Sequence, residues 1–100
     1  MSIKYADYIL REIRLVILRV LNETPARRGN SSTLRTALSA WGFDLTRTEV
    51  KEQLRWLEAR ELLRIEVIGD GSVLLAQLTE SGIDLASGRG TVPGVKRLGD

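Results

Sequence analysis

The stretch TRTEVKEQLRWLEAR, residues 46–60, decides the fold. Thr46 and Glu49 stand three residues apart just before an apolar-periodic run, which is the spacing of a helix capping box. The apolar positions then recur at intervals of three and four, so they share one face of the helix. That face consists of Val50, Leu54 and Leu57. We therefore expect a helix, ending near residue 60, that is buried along its apolar edge and leaves its basic side chains free.

A shorter helix is predicted just upstream, from about residue 33 to residue 41, with Ser31 or Ser32 as its N-cap. Gly42 follows directly and suits the left-handed conformation that ends many helices. The buried face of this helix would consist of Leu34, Leu38 and Trp41. Two helices joined by a glycine-containing turn form a helix-turn-helix.

Two strands are predicted downstream, over residues 63–68 and 73–78, joined by the turn-forming sequence GDGS. They form a β-hairpin, after which Thr79 can cap a last helix that runs to about residue 87. Together with a helix over residues 5–21, the elements predict an α+β, mostly helical fold. It is a winged helix-turn-helix of three helices, a two-stranded β-hairpin wing and a C-terminal helix.

The first helix carries apolar side chains on two sides. One stripe consists of Ile9, Ile13, Val16, Ile17, Val20 and Leu21. Tyr8, Leu15 and Leu18 fall outside this stripe, among arginines. Either the rest of the domain wraps around the helix, or these three residues form a dimer interface. We expect the interface, and hence a homodimer.

Three segments, in this order and spacing, resemble winged-helix repressors of the MarR-like and ArsR-like type. LRWLEARELL, residues 54–63, is similar to the "L..Le..gLv" stretch that ends their recognition helix. DGS, residues 70–72, falls at the usual wing tip, and LTESG, residues 78–82, is similar to the "LT..G" that closes the wing. The resemblance implies DNA binding and transcription regulation. Glu61 departs from the family, which often has glycine there, so a slightly different turn is expected at this point.

The whole chain also resembles small winged-helix proteins of Mu-like phages and prophages. GRGTVPGVKR, residues 88–97, carries this second likeness, which implies a phage or prophage origin.

Composition limits the remaining possibilities. The chain has 100 residues, 43% of them hydrophobic, which fits one winged-helix domain over residues 1–88 and an extended or disordered basic tail over residues 89–100. It contains no cysteine and no histidine, which removes thiol chemistry and zinc sites built on those residues. We expect no enzyme activity, no cofactor and no metal. Without a signal peptide or an apolar run of about 18 residues, a cytoplasmic protein with no membrane contact is expected.

Double-stranded DNA is the predicted partner. The chain has 15 basic and 13 acidic residues, and most of the basic ones are arginine, whose fork binds phosphate and base edges. The second helix of the helix-turn-helix would read the major groove, while the loop and helix before it would hold phosphate. The predicted DNA contacts are Arg27, Arg28, Ser32, Arg35, Arg47, Thr48, Lys51 and Arg55.

An alternative stays open, because the charges of the wing oppose DNA binding. Residues 62–88 carry Arg64 against four acidic residues, and residues 46–61 carry four cations against four acidic residues. The reading face could then be only a solvated helix face, and the winged helix a scaffold for protein–protein interaction in phage assembly or packaging.

Overall fold

The computed structural model describes residues 5–100, and within them it confirms a winged helix-turn-helix of the α+β class. Four helices and three strands follow one another along the chain, with a short 3-10 turn at Pro25–Arg27. They are α1 (Asp7–Asn22), β1 (Arg28–Asn30), α2 (Ser31–Ala40), α3 (Arg47–Ala59), β2 (Leu63–Ile68), β3 (Val73–Leu78) and α4 (Glu80–Ala86). No helix within residues 5–100 is long and apolar enough to cross a membrane.

The wing, strands β2 and β3, has the predicted bounds. Leu63 lies opposite Leu78 and Ile68 lies opposite Val73, so the hairpin is in register along its whole length. The strand β1 was not predicted, because the sequence RGN, residues 28–30, is typical of a turn. It pairs antiparallel with the other edge of β3, which gives a three-stranded sheet in the order β1-β3-β2. A three-residue strand has no period of its own, so only its partner reveals it.

The start of α2 also differs from the prediction. Asn30, not a serine, is the N-cap, since its side-chain oxygen accepts a hydrogen bond from the backbone of Thr33 at 2.8 Å. Ser31 is buried, and its hydroxyl accepts the backbone N–H of Leu74 at 3.1 Å. This bond joins the first turn of α2 to the wing. Leu34 and Leu38 are buried as predicted, but Trp41 is half exposed because α2 ends at Ala40 and the periodicity stops there.

The helix α1 is enclosed by the rest of the domain, which corrects the predicted dimer interface. Leu15 and Leu18 are 5% and 0% exposed and belong to the same hydrophobic core as Ile13 and Ile17. The reason is that α1 packs against α4 on one side and against α2 and the sheet on others, so both of its apolar sides are covered within one chain. Of the three predicted interface residues, Tyr8 alone lies on the surface.

The C-terminal segment, residues 89–100, packs on the domain. It forms no helix or strand, as expected, yet Val95 is buried and the backbone N–H of Lys96 donates to the carbonyl of Arg11. Arg14 holds the segment as well: its guanidinium donates to the Gly94 carbonyl at 2.9 Å and lies 3.8 Å from the Trp56 ring centre. Of the two expectations for this segment, extended or disordered, the packing of Val92, Val95 and Leu98 on the core favours the extended one.

The turn after α3 is of the type that glycine favours. Glu61 adopts a φ of 62°, in the left-handed region, and its backbone N–H donates to the Glu58 carbonyl. The Glu61 carbonyl accepts the hydroxyl of Thr79 at 2.7 Å. The departure from the MarR-like pattern is thus one of residue type, and the backbone keeps the conformation that a glycine there would take.

Candidate nucleic-acid interface

The helix α3 is held by the capping box that the sequence predicts. The Thr46 hydroxyl accepts the backbone N–H of Glu49 at 3.1 Å, and the Glu49 carboxylate accepts the backbone N–H of Thr46 at 2.8 Å. Val50, Leu54 and Leu57 are fully buried, which fixes the rotation of the helix about its axis. As a result Arg47, Thr48 and Arg55 are exposed and Lys51 is half buried at the edge of the apolar face.

A groove of about 600 Å³ lies between α2, α3 and the turn that joins them. Three of the predicted contact residues, Ser32, Arg35 and Arg47, line it together. Arg35 is held in place because its Nε donates to the Leu45 carbonyl at 2.9 Å. A guanidinium has five N–H donors, and this hydrogen bond uses one of them. The lining therefore combines two arginine side chains with hydroxyl groups, which is a chemistry suited to phosphate oxygens. We call this the α2–α3 groove.

Two further polar residues of the α2–α3 groove, Thr36 and Ser39, were not among the predicted contacts. Thr36 follows Ser32 by four residues and Ser39 follows Thr36 by three, so both share the Ser32 face of α2. That helical spacing is the signal that could have found them. Asp44 also lines the groove.

Lys51 is turned toward the wing. Its ammonium group donates to the Gly71 carbonyl at 3.3 Å, which links α3 to the turn at the end of the hairpin. In that turn the carboxylate of Asp70 accepts the backbone N–H of Ser72 at 3.0 Å, and this hydrogen bond lowers the pKa of Asp70, with a smaller effect from Lys51. The cation of Lys51 therefore stands beside the acidic tip, outside the α2–α3 groove.

The remaining predicted contacts are dispersed. Arg55 forms a surface ion pair with Glu58 at 2.9 Å, an interaction of the exposed kind that contributes only about 0–1 kcal/mol. Arg27 donates to the side chain of Asn22 at 3.0 Å within the loop after α1. Arg28 belongs to β1, where it faces Gln77 of β3, and it lines a separate groove on the sheet. The two adjacent arginines thus do not form one basic loop ahead of α2.

The order of elements, with an exposed and partly basic α3 and a hairpin hydrogen-bonded to it, defines a winged-helix protein. No protein-family model matches the chain. The chain is 37% identical over 91 residues to "Uncharacterized protein gp26" of Escherichia phage Mu, covering 91% of this chain and 92% of gp26. It is also 37% identical over 76 residues to an uncharacterized protein of Haemophilus influenzae, covering 76% and 72% of the two chains. The chain belongs to the same family as gp26 of phage Mu.

Two solved structures share the fold. AbsC, a MarR family transcriptional regulator from Streptomyces coelicolor, superposes with a TM-score of 0.61 at 28% identity, over 74% of this chain and 47% of AbsC. A mutant of ZitR from Lactococcus lactis superposes with a TM-score of 0.60 at 22% identity, over 87% and 55%. The chain thus spans about half the length of either structure. The likeness to MarR-like proteins is confirmed at the level of the fold.

Proposed function

We propose that this chain is a winged-helix protein that binds double-stranded DNA, reads the major groove with α3 and regulates transcription. The observation that carries the proposal is the α2–α3 groove, where the fold brings Ser32 and Arg35 of α2 together with Arg47 of α3. The structural likeness to AbsC, a MarR family transcriptional regulator, supports it.

The first turns of the two helices have different roles in this proposal. At the start of α2, the Ser32 hydroxyl and the backbone N–H groups that Asn30 does not cap hold a phosphate. At the start of α3, Arg47 and Thr48 are exposed and positioned to meet base edges, as in other helix-turn-helix proteins. Arginine can bind guanine through two hydrogen bonds, which makes Arg47 the residue with the most power to discriminate between bases.

The wing contributes little to affinity in this proposal. Its tip carries Asp70, and Lys51 is already bonded to the neighbouring Gly71 carbonyl. A carboxylate placed against phosphates loses electrostatic free energy, so the tip stays clear of the duplex. The DNA is then held by the α2–α3 groove and the exposed face of α3.

The test is the affinity of the full chain for a labelled 24-base-pair duplex, measured by fluorescence anisotropy across a salt series. Two to four phosphate contacts predict a slope of log K against log salt of about −2 to −4. Arg35→Ala removes the other arginine of the α2–α3 groove and should reduce the magnitude of that slope by about 0.9, the share of one phosphate contact. Arg97→Ala removes one cation from the C-terminal segment, far along the chain from the groove, and should leave the slope unchanged.

Two results would contradict the proposal. One is an affinity no better than about 10⁻⁴ M at low salt, which is weaker than ordinary non-specific binding. The other is an equal loss of slope in Arg35→Ala and Arg97→Ala, which would show that only net charge matters.

A homodimer and a phage or prophage origin remain proposals. The relative gp26 is a protein of phage Mu, which supports the origin. The dimer, if it forms, uses a surface other than Leu15 and Leu18, because both are buried within one chain. Light scattering with and without the duplex measures the number of chains bound per DNA.

A further inference from the structure

The outer face of the three-stranded sheet carries no residue of the hydrophobic core within residues 5–100. Side chains alternate along each strand, and the buried residues Leu63, Leu74, Ala76 and Leu78 mark the inner face. The intervening residues therefore share the outer face. Glu66 and Leu75 form one cross-strand pair on it, and Ile68 and Val73 form another. Neither Leu75 nor Val73 is packed against the core, which confirms that they point outward.

One row of this face is made of long polar side chains. The register places Arg28 of β1 opposite Gln77 of β3, and Gln77 opposite Arg64 of β2. All three side chains are exposed, and together they line a small groove of about 240 Å³ on the sheet. Within residues 5–100, no ion pair engages Arg28 or Arg64. Because β1 and β2 flank β3, the two arginine backbones are about 10 Å apart, so both forks can close on one anion above Gln77.

We propose that the outer sheet face binds a short acidic segment of a protein partner, with a carboxylate of that segment held by Arg28, Gln77 and Arg64. Two guanidinium groups and a side-chain amide supply the N–H donors that a carboxylate accepts in a bidentate manner. The apolar residues next to the row, Leu75, Val73 and Ile68, take the apolar side chains that follow the carboxylate in the partner. Ile68 is 41% exposed, so its burial gives the contact a hydrophobic part.

The composition of the face favours a peptide over a nucleic acid. Glu66 stands beside Leu75, directly next to the arginine row, and it lines the same groove. A nucleic acid lying along the sheet would carry its regularly spaced phosphates across Glu66 and across apolar side chains, at a cost in electrostatic free energy. A peptide has one carboxylate where the arginines are and backbone N–H groups where Glu66 can accept them.

The size of the face favours a segment over a second folded subunit. The face spans six residues in each of β2 and β3 and three in β1, which is roughly 20 by 10 Å plus 10 by 5 Å, whereas a stable interface buries about 800 Å² on each partner. An area near 250 Å² therefore suits a chain of a few residues that runs along β3, and a second copy of this protein docked here alone would dissociate.

The probe is an octapeptide, acetylated at its N-terminus and amidated at its C-terminus, with one glutamate followed by alternating leucine and serine, and its control replaces the glutamate by glutamine. Binding is followed by NMR at the side-chain amide of Gln77 and the Nε–H groups of Arg28 and Arg64. We expect saturable shifts at these groups with the acidic peptide and none with the glutamine peptide. The expected loss of affinity is at least tenfold in Arg28→Ala/Arg64→Ala.

A charge-matched variant separates the site from net charge. Arg11→Ala/Arg97→Ala removes two exposed cations elsewhere and should change the affinity by less than twofold. Arg28→Lys/Arg64→Lys keeps the charge but loses the guanidinium forks, so its affinity should lie between those of the two double-alanine variants. Three results would overturn the proposal: no peptide shifts up to millimolar concentration, equal losses in the two alanine variants, or shifts of Gln77 with duplex DNA. The last would assign the face to nucleic acid.

Discussion

Gly82→Ala is the substitution for which the structure and simple helix propensity predict opposite signs. Gly82 lies in the first turn of α4, and alanine is a better helix former than glycine by up to about 1 kcal/mol. A Cβ atom at this position, however, would lie 2.2 Å from the backbone oxygen of Leu62. That oxygen accepts the backbone N–H of Thr79, and Leu62 is 1% exposed. The backbone just before β2 therefore cannot move aside freely.

The magnitude follows from these contacts. Relieving the contact requires a shift of about 1 Å in a packed region, which costs typically 1–3 kcal/mol, and weakening the bond from Thr79 costs about 1 kcal/mol more. After the propensity gain, the free energy of unfolding should fall by about 1–3 kcal/mol. For a domain of this size, that lowers Tm by roughly 5–20 °C.

Urea unfolding and a thermal melt, both followed by circular dichroism, measure the effect. Ser81→Ala is the control, because Ser81 is the exposed neighbour in the same turn, and its effect should stay within about 0.5 kcal/mol. A Gly82→Ala protein as stable as the wild type, or more stable, would show that α4 does not approach Leu62 as described. The glycine of the LTESG motif would then lack this physical explanation.

Three other predictions use the same stability and titration measurements. Glu61→Gly should raise the free energy of unfolding by about 0.5–1 kcal/mol, since glycine adopts the left-handed φ of 62° without strain; a loss of stability would contradict this. Leu15→Glu should cost about 4 kcal/mol or more, because it buries a carboxylate in the core, while Tyr8→Glu on the exposed side of α1 should be nearly neutral; a stable Leu15→Glu protein would restore the discarded interface. The carboxyl of Asp70 should titrate by NMR below its ordinary value near 3.8, so the hydrogen bond from Ser72 is present above that pH and is lost as the pH falls through the lowered pKa; a midpoint at or above 3.8 would refute it.

Local signals in the sequence were sufficient to predict the helix-turn-helix and the wing. The capping box at Thr46 and Glu49 is a pattern of two side chains three residues apart, and it appears in the structure with both hydrogen bonds. The hairpin strands have the predicted bounds because alternation and the GDGS turn together fix the register.

What the sequence did not reveal depends on distant parts of the chain. Ser31 has the residue type of an N-cap, and only the fold shows that its hydroxyl accepts from Leu74, 43 residues away. The same holds for Leu15 and Leu18. Periodicity shows which apolar side chains share a helix face, but it does not show which neighbour covers them. The C-terminal segment has no period, and its order comes from contacts such as that of Gly94 with Arg14.

The candidate interface was predicted in its residue types and only partly in its grouping. Helical spacing places Ser32 and Arg35 on one face of α2, but no spacing in the sequence could have added Arg47 to them, since the groove exists only when α2 and α3 are packed together. Arg28 lies on the sheet, in the strand β1. The sequence could not show this, because that strand was not predicted.

The most direct test of the proposed DNA-binding surface is a map of backbone amide shifts in the labelled full chain as duplex DNA is added at low salt. We predict the largest shifts over residues 31–36 and 46–51, the first turns of α2 and α3 that flank the α2–α3 groove. Shifts confined to other surfaces, or no shifts at all, would contradict the conclusion that this groove binds DNA.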